Sequence, residues 1–188
     1  MREESLQPEW SARIERSRRK TVGIRVTEDG EVLVRAPLRT SMAEIRRILE
    51  GKRDWIEKAL AKVRARESLP KLTEQEIRDL EKQAKKIIPP RTEAWARQMG
   101  ISYGRIAIRC QKTRWGSCSA QGNLNFNCLL LLCPAEVLDY VIVHELCHRK
   151  EMNHSARFKA EMEKVLPDWK DRARWLKNEG QGIIARVR

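Results

Sequence analysis

Apolar and polar residues alternate along TVGIRV (21–26) and again along EVLVRAP (31–37), with EDG between them. A period of two marks strands with one buried face, and the glycine suits the turn, so the pair predicts a β-hairpin. From Met42 the period lengthens. Ile45, Ile48, Leu49, Ile56 and Leu60 fall on one side of a helix that runs to Glu67, opened by a Ser41/Glu44 capping pair. Leu69-Pro70 closes this stretch. The pattern predicts a small β-β-α unit over residues 1–70, followed by a second domain over residues 71–188.

Thr73 and Glu76 open another helix, which Pro89-Pro90 is expected to interrupt and Gly100 to end. RIAIRC and NLNFNC alternate on either side of TRWGSCS, with Gln121-Gly122 as the turn, and predict a small antiparallel sheet over residues 105–132. Pro134 then suits the first turn of a helix through Met152, with Asn153 as its left-handed terminal residue. Ser155 caps a following helix that Pro167 stops, and a last short helix is expected to end at Gly180. The fold class read from this order is α+β: a β-β-α unit, then a helix, a small sheet, a strongly apolar helix and C-terminal helices.

All three histidines of the chain stand in HELCHRKEMNH, residues 144–154. Residues four apart project from one helical face, so His144 and His148 can present ring nitrogens to one ion at about 2.0–2.1 Å. If the chain turns back after the helix, His154 reaches the open side of the same ion. Three imidazoles with a free fourth position make a catalytic rather than a structural metal site. Glu145, beside the first histidine, can then reach a water on the metal and act as general base, the arrangement of the H-E-x-x-H signature. One Zn²⁺ per chain, or another divalent transition metal, is the expected cofactor. On the following helix, Glu161 and Glu163 are the alternatives to His154 as third ligand.

TRWGSCS, HELCH and NHSARF, in this order and spacing, resemble the YgjP-like metallopeptidases, relatives of the SprT-like and WLM zinc peptidases. The basic hairpin, the VRAP strand and the helix before the sheet also look like the amino-terminal half of that family, so the resemblance covers essentially the whole chain. It implies His144, His148 and His154 as metal ligands, Glu145 as the catalytic carboxylate, and a zincin-like core behind the β-β-α unit. The three-histidine spacing also occurs in metzincins, which carry a glycine where this chain has Glu151, so the turn is expected to differ and to run through Asn153.

Arg114, Trp115, Gly116 and Ser117 lie where such peptidases place an edge strand, and are expected to bind an extended peptide by main-chain pairing. The alternative is a packed hairpin with Trp115 in the core and Gly116 permitting a bulge. Asn153 and Ser155 either orient a metal ligand or simply cap helices.

Composition narrows the setting. No run approaches the roughly 18 apolar residues of a membrane span, and the opening MREESLQPEW is charged where a signal peptide is apolar, so the expectation is a cytoplasmic protein without a membrane partner. Five cysteines with no C-x-x-C pair argue against a disulfide framework and a zinc ribbon. The net charge of +13 favours anionic partners. Beside a peptide or protein substrate it leaves two alternatives. One is a metal-dependent nucleotide phosphoanhydride hydrolase, using cations of the acid-free stretch from Tyr103 to Ala135. The other is a DNA-associated protease of SprT type, using the basic run RSRRK at residues 16–20.

Overall fold

The computed structural model describes residues 12–187, which fall into two compact units dividing between Ser68 and Leu69. The charged opening decapeptide lies outside the described residues.

The first unit contains β1 (Ala12–Ser17), β2 (Gly23–Val26), β3 (Val32–Pro37), α1 (Met42–Glu50) and α2 (Arg53–Glu67). The expected hairpin is β2–β3, antiparallel, with Gly30 at φ 76° in its turn. A third strand, β1, pairs in parallel with β3, so the order is β1-β3-β2. Val32, Val34 and Ala36 of the central strand are fully buried against Ile45, Leu49, Ile56 and Leu60. The single expected helix is two, because the chain leaves helical geometry at Lys52, just after Gly51. Glycine gives up about 1 kcal/mol of helix propensity there. Within the basic run, Arg16 turns its guanidinium onto the carbonyls of Pro37, Leu38 and Thr40.

The second unit contains α3 (Glu74–Met99), β4 (Ile106–Arg109), β5 (Gly116–Cys118), β6 (Leu124–Asn127), a 3-10 turn over Cys128–Leu132, α4 (Ala135–Cys147), α5 (Ala156–Val165) and α6 (Trp169–Ala185). The α+β class holds, with two small sheets among helices. Thr73 and Glu76 form a full capping box, and Gly100 ends α3 in the left-handed conformation. The helix runs unbroken through Pro89 and Pro90, against the expected interruption. The carbonyls that lose N–H partners belong to Lys85 and Lys86, both exposed residues, where solvent can take the place of the missing bonds.

The sheet is mixed rather than purely antiparallel. β4 runs parallel to β6, β5 runs antiparallel to it, and the order β4-β6-β5 leaves β5 at an edge. α4 is the centre of this unit. It is apolar on nearly every side and buries Val137, Leu138, Val141, Ile142, Val143 and Leu146, as a helix enclosed by its neighbours must. Each such side chain contributes about 1.5–3 kcal/mol. The carboxylate of Asp139 fixes α4 to α3 by accepting bonds from the guanidinium of Arg91 and from Nε1 of Trp95.

α4 stops at Cys147, a turn and more before the expected Met152, and Asn153 is not left-handed. The reversal is made instead by the turn after His148, where the N–H groups of Lys150 and Glu151 both reach the Cys147 carbonyl. Ser155 caps α5 as expected, its hydroxyl accepting from the Phe158 N–H at 3.3 Å. α6 continues through Gly180 rather than ending there. That glycine is buried because the ring of Trp115 lies against it, and a Cβ would stand 2.9 Å from Trp115 Cζ2.

Candidate metal centre

The last turn of α4 and the loop before α5 bring the three histidines together. One ring nitrogen from each of His144, His148 and His154 lies within 4.8 Å of the other two, and the Nε2 atoms of His144 and His154 are 3.0 Å apart. Nitrogens bound at about 2.0–2.1 Å to one tetrahedral ion stand about 3.3 Å from each other. The trio therefore has the spacing of a metal site. No other trio of His, Cys, Asp or Glu converges in this way among the described residues.

The protonation of these rings agrees. Burial drives the pKa of His144 down to about 3, with His148 and His154 adding repulsion. Burial also lowers His148, partly opposed by the Glu151 carbonyl. A neutral imidazole is the form that offers a lone pair to a cation. Nδ1 of His148 lies 3.1 Å from the Glu151 carbonyl oxygen. A carbonyl only accepts, so Nδ1 carries the hydrogen and Nε2 is left bare. His154 is exposed, so the trio opens to solvent on its side.

Phe158 forms the floor. Its ring centroid lies 4.9, 4.6 and 4.9 Å from those of His144, His148 and His154. The Ser155 cap seats this phenylalanine in the first turn of α5. The edge of Tyr140, one turn before His144 on α4, meets the His144 ring at 5.7 Å. Neither residue stands out in the sequence, where Phe158 is one letter of NHSARF and Tyr140 one apolar position in a long apolar helix.

Glu145 stands on the same turn and is 6% exposed. Burial lifts its carboxyl pKa to about 8, against the opposing charge of Arg114. Strand β5 lies directly on it. A Cβ built on Gly116 would stand 2.6 Å from Oε1 and 2.8 Å from Cγ of Glu145. Only a residue without a side chain admits the carboxylate here.

The remaining expected residues sort by face. Trp115 is half-buried against α6, and Ser117 accepts from Nδ2 of Asn125 at 3.2 Å. Arg114 is exposed two residues before the strand. Asn153 contributes its carbonyl to the Ser155 N–H at 2.7 Å, and the Ser155 hydroxyl serves the α5 cap. The group seen orienting a histidine is the Glu151 carbonyl. Glu161 is engaged by Lys150 at 2.9 Å and by Lys164, and Glu163 by Lys170 at 3.3 Å. All five cysteines are free. Cys147, inside the helix, is fully buried, and burial holds its thiol up at about 12, where it packs and does not react.

Among curated proteins none matches this chain. Among solved structures, matches include two, each over 48% of this chain and 93% of its own: the zymogen of the metallopeptidase jannalysin of Methanocaldococcus jannaschii, at 23% identity and a TM-score of 0.43, and the zymogen of the metallopeptidase abylysin of Pyrococcus abyssi, at 26% identity and a TM-score of 0.44. The sequence profile described as YgjP-like, metallopeptidase domain, matches residues 20–80 and 66–179. That match covers most of the chain and contains all three histidines and Glu145, so the chain belongs to the YgjP-like metallopeptidases, metal-dependent hydrolases that act on peptides or proteins.

Proposed function

We propose that the chain is a zinc peptidase in which His144, His148 and His154 hold the metal and Glu145 is the general base. The observation that carries this reading is the meeting of three imidazole nitrogens, open to solvent on one side, beside a buried carboxylate on the same helical turn. The all-nitrogen donor set fits Zn²⁺ better than the oxygen-seeking Mg²⁺ or Ca²⁺. A zinc ion so held supplies Lewis acidity, polarising the scissile carbonyl and acidifying a water.

The chain's own groups supply the rest. Glu145 takes a proton from the attacking water and returns it to the leaving amine, a task open to a carboxylate one residue from the first histidine of the trio. The Glu151 carbonyl holds His148 in the tautomer that keeps Nε2 bare. β5 offers its free edge to the substrate. The Trp115 carbonyl accepts from the Asn127 N–H at 2.8 Å, and the Ser119 N–H donates to the Asn123 carbonyl at 2.9 Å, so the odd-numbered positions face β6. Antiparallel alternation turns the main-chain groups of Gly116 and Cys118 outward, where an extended peptide can pair with them. Five cysteines free of disulfides favour a reducing compartment, which supports a cytoplasmic location. No helix among the described residues is long and apolar enough to cross a membrane.

The test is cleavage of a pool of unstructured peptides, read by mass spectrometry. Cleavage is expected to disappear with a zinc chelator and to return with one equivalent of zinc. A zinc-loaded chain that leaves every peptide intact yet hydrolyses nucleoside triphosphates would replace this reading with the phosphoanhydride one.

A further inference from the structure

Alternate residues of an extended strand share a face. The face of β5 that meets Glu145 at Gly116 therefore also carries Cys118, and Arg114 stands two residues ahead of the strand, within charge reach of Glu145. Charge coupling agrees with this placement. The thiol of Cys118 is held up by burial and by the Glu145 carboxylate, and Arg114 opposes the rise at Glu145.

The backbone of Arg114 is anchored. Asn127 is fully buried, and its Nδ2 donates to the carbonyls of Gln111 at 2.7 Å and Arg114 at 3.0 Å, while its Oδ1 accepts from the Leu129 N–H at 3.2 Å. This clamp fixes where the arginine leaves the chain. Its guanidinium is exposed, no acidic residue occurs from Tyr103 to Ala135, and among the described residues Arg114 forms no ion pair. An anchored, exposed cation beside a hydrolytic site, near enough to Glu145 to feel its charge yet tied up in no ion pair, is placed to meet an anion on the substrate. A guanidinium binds a carboxylate through two parallel bonds, a fit that no neutral side chain offers.

Its place in the chain sets which part of the substrate it meets. Arg114 stands two residues ahead of Gly116, the first residue of β5 and the point level with Glu145, so its backbone lies at most about 7 Å from that point. A peptide added to the edge of β5 with its scissile bond beside Glu145 places its second residue from that bond beside Arg114. We propose that Arg114 selects substrates carrying a carboxylate about two residues from the scissile bond, either on an acidic side chain or at the free end of a short peptide. This inference rests on the peptidase reading.

Neutral reporter peptides with one Glu walked through the sequence, each made with a free and with an amidated carboxyl terminus, test it in the zinc-loaded chain. A Glu at one position about two residues from the cut is expected to raise kcat/KM about 10-fold or more over Gln there. The ratio should fall to about one in Arg114→Gln and invert in favour of Lys in Arg114→Glu. If the free terminus carries the effect, amidation removes it in the same proteins. Binding to zinc-loaded Glu145→Gln, measured by calorimetry, gives a readout without turnover: the acidic peptide should bind about 10-fold tighter, and the gain should vanish when Arg114→Gln is added. Peptide cleavage whose Glu-to-Gln ratio is the same with and without Arg114 would overturn the proposal and leave the peptidase reading standing. A wild-type chain that cleaves no peptide of any charge would overturn both.

Discussion

Glu145→Gln is expected to lower peptide turnover about 10²–10⁴-fold while leaving zinc content and KM unchanged, the loss that follows when a positioned general base is removed. Glutamine keeps the shape and the burial of the side chain but cannot take a proton. The carboxyl is 6% exposed and is not one of the three groups that converge, so its loss leaves the donor set whole. The expected signature is thus a change in kcat alone, read by steady-state kinetics beside a metal assay. A variant with normal kcat would remove Glu145 from the chemistry.

The second large effect comes from a residue that contributes no atom to the reaction. Gly116→Ala adds one methyl group that must stand 2.6 Å from Oε1, 2.8 Å from Cγ and 3.0 Å from Cδ of Glu145, all far below van der Waals contact. The backbone at Gly116 is not in the left-handed region, so alanine meets no conformational penalty and the variant tests clearance alone. Glu145 has to swing aside, and a displacement of about 1 Å at a proton-transferring group costs about 10² in rate. The account predicts a fall of about 100-fold in kcat with KM and zinc content little changed. If Gly116 acted mainly by pairing with substrate, KM would rise instead. Shortening the acid relieves the clash, so Gly116→Ala combined with Glu145→Asp is expected to be no slower than Glu145→Asp alone, a non-additivity that marks direct contact.

Such a pairing shows what the sequence carries and what it omits. His144, Glu145 and His148 were legible because one helical turn fixes their relation, and spacing alone states it. His154 was legible only as a residue six beyond the second histidine; the reversal that delivers it was expected at Asn153 and occurs instead directly after His148, through bonds to the Cys147 carbonyl. The Ser155 cap and the Thr73/Glu76 box are local, and spacing in the sequence is enough to place them. What depends on distant partners was not. β1 pairs in parallel with β3 across the whole of β2, and its mixed sequence ARIERS has no clean alternation to announce it. The parallel pairing of β4 with β6 is hidden for the same reason, since adjacency in sequence favours the antiparallel reading. Gly116 and Gly180 look like a bulge and a helix end, the common uses of glycine. Each is instead a place where a neighbour's side chain fills the missing Cβ, Glu145 in one case and Trp115 in the other. The two prolines of α3 read as a break because the sequence does not say that the residues whose carbonyls they leave unpaired are exposed.

The central claim is that three histidines hold one ion. Mass-spectrometric metal analysis of the purified chain beside His148→Ala tests it most directly. The account predicts about one zinc per wild-type chain and none above background in the variant, because two remaining imidazoles do not complete the site. A wild-type chain that retains no stoichiometric transition metal after zinc is offered, or a His148→Ala chain that retains as much as wild type, would contradict it.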